Sequence, residues 1–138
     1  MRQFLIALAL SFAAISFSPA AQAQDTALPP AQEAEQRSTL LAATAVINYG
    51  RAKADPLAML AGVQMMVSVE ARIEDGSGKQ MNLGAVLDEA VALANGDELV
   101  LARAATLRDD VDVAYRGACY WSYACDWYGY CSYWWYCY

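Results

Sequence analysis

The sequence predicts a mainly α protein: a small bundle of about four short helices, arranged as two helical hairpins, followed by a C-terminal β-hairpin rich in cysteine and aromatic residues. Three observations carry this reading. Apolar residues recur at helical spacing between Leu40 and Val111, the pairs Asp55-Pro56 and Asn95-Gly96 punctuate that stretch, and four cysteines sit six residues apart at the end of the chain.

The first 23 residues have the three parts of a secretory signal. Met1-Arg2-Gln3 is basic, Phe4 to Phe17 is apolar but too short and too diluted by serine to span a bilayer, and Ala21-Gln22-Ala23 is a small-x-small cleavage site. The expected mature chain starts at Gln24. It carries 8 basic and 15 acidic residues, a net charge of −7, which opposes binding to nucleic acid or anionic lipid. No cysteine precedes Cys119, which argues against a lipid-anchored form, and no later apolar stretch is long enough to span a membrane. The expected location is secreted or periplasmic.

Residues 24–37 combine Pro29-Pro30 with polar residues and read as a flexible lead-in. The helical domain is expected over residues 38–117. Leu40, Leu41, Thr44, Ala45 and Ile47 mark the first helix, which Tyr49-Gly50 should weaken before its end near Ala54. Asp55 is placed to cap a second helix and Pro56 to open it. On that helix Met59, Leu60, Val63, Met66 and Val67 form one apolar stripe. Thioethers suit Cu(I), but methionines at this spacing favour core packing.

Asp75-Gly76-Ser77-Gly78 reads as a loop. Leu83, Val86, Leu87, Ala90 and Ala94 trace the third helix, which stops at Asn95-Gly96; Asp97 caps the fourth, with Val100, Leu101, Ala104, Leu107 and Val111 on its buried side. The stretch from about Thr44 to Ala118, with DPLAML, LANGDELVLARAATL and the closing RGA, resembles the helical N-terminal region of uncharacterised exported bacterial proteins. That resemblance implies export and a helical fold, and assigns no functional residues.

Residues 118–138 hold all four cysteines, all four tryptophans and seven of the nine tyrosines. On a straight strand, cysteines six apart would be roughly 20 Å from each other, beyond disulfide reach, so the segment must bend. Gly129 supplies the bend through a three-residue loop, Trp127-Tyr128-Gly129, with glycine left-handed. The resulting register sets Cys119 against Cys137, Trp121 against Trp135, Tyr123 against Tyr133 and Cys125 against Cys131 on one face. Tyr120–Tyr136, Ser122–Trp134 and Ala124–Ser132 pair on the other. Bridges Cys119–Cys137 and Cys125–Cys131 follow, with Cys119–Cys125 plus Cys131–Cys137 as the main competing connectivity.

Histidine is absent, which removes the commonest general base and the commonest zinc ligand. Asp88-Glu89 and Asp97-Glu98 read as solvated helix surface or caps, and Asp109-Asp110-Val111-Asp112 lacks the glycine and distal glutamate of a calcium loop and reads as a charged helix end. A non-enzymatic protein without a cofactor is therefore expected. A copper or zinc thiolate site at Cys119, Cys125, Cys131 and Cys137 is the secondary reading, since the paired C-x-x-C spacing of zinc ribbons is missing.

Eleven aromatic residues in twenty exceed what a hairpin can bury, so the tail is expected to bind protein or envelope glycan, or another copy of the chain. Trp121, Tyr123, Tyr133 and Trp135 are the expected platform, unless that face packs on the helices. The alternative function is a precursor whose cysteine- and aromatic-rich tail becomes a modified peptide, one that could bind copper.

Overall fold

The computed structural model describes residues 28–69, 71–113 and 119–137; the expected signal peptide, the start of the lead-in (24–27) and the junction at 114–118 lie outside them. Four helices lead into a cysteine- and aromatic-rich hairpin: α1 Pro30–Lys53, α2 Pro56–Val67, α3 Leu83–Leu93 and α4 Glu98–Val113, then β2 Cys119–Cys125 and β3 Cys131–Cys137. A short strand, β1 Arg72–Glu74, lies between α2 and α3.

The helix boundaries follow local chemistry. Asp55 accepts a hydrogen bond from the Ala58 N–H at 3.1 Å, with Pro56 in the first helical position. Asn82 Oδ1 accepts from Ala85 N–H, and Asp97 Oδ1 from the Leu99 and Val100 N–H groups. Asn95 and Gly96 both take positive φ in the turn that closes α3. α1 ends at Ala54, also left-handed, where the Asp55 N–H returns to the Gly50 carbonyl at 2.8 Å.

α1 corrects the expected lead-in over residues 24–37. It starts at Pro30, eight residues before Ser38, and at 24 residues it is not short. Its first turns gain from partners that no local pattern displays. Glu33 pairs with Arg37, Gln36 bonds to Trp121, and Arg37 lies against the Trp134 ring.

Tyr49-Gly50 does not interrupt α1 either. A Cβ at Gly50 would come within 2.9 Å of the Asp55 carbonyl oxygen and the Met59 backbone nitrogen, so glycine there is what lets α2 fold back closely. Gly62 plays the same part from α2, where a Cβ would stand 2.5 Å from Ile47 Cγ1 and 2.9 Å from the Ala43 carbonyl oxygen.

The core runs from Leu40, Ala43 and Ile47 of α1 through Met59, Leu60, Val63 and Met66 of α2 to the buried faces of α3 and α4. Every expected apolar position of α3 is buried. Leu41, Ala45 and Leu101 turn outward instead, because α1 and α4 each meet their neighbours along a narrower stripe. Among the described residues no charged or polar residue is fully buried, and no helix is long and apolar enough to cross a membrane. Ion pairs tie the helix surfaces together: Arg51 reaches Glu89 with two nitrogens, and Arg108 reaches Asp88. The hydrogen bonds from Arg51 hold the Glu89 carboxyl below the ordinary carboxylate range.

The sheet has the order β1-β2-β3. β1 pairs parallel to β2, setting Ile73 beside Trp121, and both are buried. A tight turn follows β1, in which Asp75 accepts from the Ser77 hydroxyl and from the Ser77 and Lys79 N–H groups, bonds that lower its pKa. Trp121 and Tyr133 complete the same core as the helices, so the tail is not a separate unit.

Gly62→Ala should cost about 1–3 kcal/mol, because the new methyl meets backbone that cannot retreat without separating α1 from α2. Denaturant unfolding should report it as a lower midpoint at unchanged slope.

Candidate functional site

The β2–β3 hairpin has the register expected from its sequence, with Cys119–Cys137 at its open end and Cys125–Cys131 beside the turn. Both pairs are disulfides, which excludes the competing connectivity. The turn is the expected three-residue loop. The Asp126 N–H donates to the Tyr130 carbonyl, the Gly129 N–H donates to the Asp126 carbonyl at 3.1 Å, and Gly129 has φ +83°. Asp126 Oδ1 also accepts from the Tyr128 and Tyr130 N–H groups, both at 2.9 Å. Counting outward from the hydrogen-bonded Asp126–Tyr130 pair, the disulfides and the Trp121–Trp135 and Tyr123–Tyr133 pairs fall at non-hydrogen-bonded positions, where opposed side chains come closest.

The expected platform is not a surface. Trp121 and Tyr133 are fully buried, while Tyr123 and Trp135 are half-buried against them; this face packs on the helices. The rings meet across the strands, with centroids 5.3 Å apart for Trp121–Trp135 and 5.1 Å for Tyr123–Tyr133. Two polar atoms on the buried rings find partners on α1. Trp121 Nε1 donates to Gln36 Oε1 at 3.1 Å, and Tyr133 Oη lies 2.8 Å from Thr44 Oγ1. The Thr44 hydroxyl already donates to the Leu40 carbonyl, so Tyr133 is the donor in that pair. Burial pushes the Tyr133 phenol above its ordinary pKa of 10.0.

The exposed aromatics are elsewhere. At the turn, Trp127, Tyr128 and Tyr130 are 96, 85 and 77 % exposed; on the outer face Trp134 and Tyr136 remain 42 and 46 % exposed. Tyr120 stacks on Tyr136 with centroids 5.7 Å apart. Arg72 covers Tyr120 at 4.5 Å and pairs with Glu74, while Arg37 lies 5.2 Å from the Trp134 ring centre and pairs with Glu33. In the sequence Trp127 and Tyr128 stand out only as residues of a loop. A loop tip carries side chains away from the core, and that was the available signal that these residues, not the inner face, stay exposed.

With all four sulfurs bonded in pairs, none is a thiolate, the form that would hold copper or zinc. Three of the acidic residues picked out in the sequence have partners: Asp97 caps α4, Asp88 meets Arg108 and Glu89 meets Arg51. The two disulfides point to folding in an oxidising, extracellular-type environment. No family model, curated protein or solved structure matches the chain, so a functional reading rests on its own residues.

The two kinds of aromatic position should respond oppositely to truncation. Trp121→Ala should lose about 3–5 kcal/mol by emptying the core, whereas Trp127→Ala should change stability by less than about 0.5 kcal/mol, as read from thermal unfolding. The raised pKa of Tyr133 means the folded state holds this proton more tightly than the unfolded chain does. Its contribution is therefore complete below pH 10.0 and falls as the pH rises through the raised folded value. Unfolding midpoints measured up to strongly alkaline pH should show this loss, and Tyr133→Phe should reduce it.

Proposed function

We propose that this is an exported, non-enzymatic protein that binds a component of the cell envelope through the turn and outer face of its C-terminal hairpin, with the helices as scaffold. The observation that carries this reading is the exposure of Trp127, Tyr128 and Tyr130 on a turn clamped by Cys125–Cys131. Large aromatic side chains displayed in a group mark an interaction surface, and a covalently closed turn presents them without a further ordering cost on binding.

The N-terminal signal pattern and the paired cysteines support a secreted or periplasmic location. The acidic net charge speaks against nucleic acid as partner. The lack of histidine, together with Asp97 in a helix cap and Asp88 and Glu89 in ion pairs, favours a binding role over catalysis.

The test compares the wild-type protein with Trp127→Ala/Tyr128→Ala for retention by isolated cell-envelope fractions. The double variant should keep its unfolding temperature and lose most of its retention. Unchanged retention by every fraction would overturn the proposal.

A further inference from the structure

Resting on that reading, we infer that the component bound is the lipid bilayer surface itself, with the hairpin turn inserting Trp127, Tyr128 and Tyr130 into the interface of a zwitterionic membrane. The three side chains are of the two types that combine an apolar ring with a polar handle, the combination that partitions to the boundary between acyl chains and headgroups. They are also the most exposed large apolar side chains among the described residues.

The charge at the turn fits a neutral surface. Between Cys125 and Cys131 the one charged side chain is Asp126, at the base of the turn with Oδ1 engaged by the Tyr128 and Tyr130 N–H groups. No lysine or arginine occurs between Cys119 and Tyr138. Arg37 and Arg72, which lie against the Trp134 and Tyr120 rings, each pair with a glutamate. An acidic chain with an uncharged aromatic tip matches a zwitterionic surface and is repelled by an anionic one.

Size and shape disfavour the other partners. The three side chains of the turn can bury roughly 450–750 Å² together, less than the approximately 800 Å² per partner of a standard protein interface, so a protein partner would have to cover the outer face as well. Ligand sites for sugars and other small molecules are concave and place polar side chains around the ring faces. This turn is exposed, and its one charged side chain already serves the backbone. The Cys125–Cys131 bridge directly behind the turn keeps the strands from splaying as the rings enter lipid.

The oxidised mature chain, from Gln24 onward, is mixed with phosphatidylcholine vesicles, and binding is followed by co-sedimentation and by tryptophan emission. The expected result is salt-insensitive binding with a blue shift, reduced at least about tenfold in Trp127→Ala/Tyr128→Ala/Tyr130→Ala. Circular dichroism and the unfolding temperature should match wild type, which separates lost binding from lost folding. Binding only to vesicles containing phosphatidylglycerol, with loss in salt, would overturn the inference. So would self-association without vesicles that the triple variant abolishes. If phosphatidylcholine vesicles fail to bind while envelope fractions still retain wild type and not the variant, the bilayer inference falls and the envelope-binding proposal stands. If neither binds, both fall.

Discussion

Trp121 and Tyr133 sit where the sheet meets α1, and most of the architecture depends on their burial. Each ring enters the core that the helices form, and each sends its polar atom to a side chain of α1, Trp121 to Gln36 and Tyr133 to Thr44. An unpaired N–H or hydroxyl at such a site would cost about 1–3 kcal/mol, so the two bonds fix which turns of α1 lie beneath which strand. With α1 placed, Arg37 reaches Trp134 on the outer face. With β2 placed, β1 finds a parallel partner and Ile73 closes beside Trp121.

The same packing determines which aromatics stay exposed. Side chains alternate across a strand, so burying Trp121, Tyr123, Tyr133 and Trp135 turns Tyr120, Trp134 and Tyr136 outward. The three rings of the turn are left almost uncovered by the described fold. The disulfides stabilise this division. By loop closure the inner bridge contributes about 2.4 kcal/mol and the outer about 3 kcal/mol, on the scale needed to hold two strands that would be marginal alone.

Close approach of α1 and α2 is the second constraint. Gly50 and Gly62 allow it from opposite helices, each facing a backbone atom that would obstruct a methyl group. This brings Ile47 and Met59 into one layer and gives the remaining helices a surface to pack on. Both glycines look like helix-weakening residues when judged by propensity alone, and both are required by contact.

The sequence by itself determined the features that depend on near neighbours. Helix caps at Asp55 and Asp97, the stop at Asn95-Gly96, the three-residue turn at Gly129 and the disulfide register all arise from residues a few positions apart or from a single strand periodicity. Tertiary structure decided the features that depend on distant partners. The N-terminal turns of α1 were legible only as a polar lead-in, because Gln36 and Arg37 meet Trp121 and Trp134 some 85 residues or more further along. A three-residue strand such as β1 has no periodicity to display, and its partner lies beyond two helices. The hairpin offered two faces that both carry aromatic rings, and alternation alone could not say which would be covered. The helical core took the face bearing Trp121 and Tyr133, where Gln36 and Thr44 meet their polar atoms, although Trp135 Nε1 on the same face is buried without a hydrogen-bond partner among the described residues.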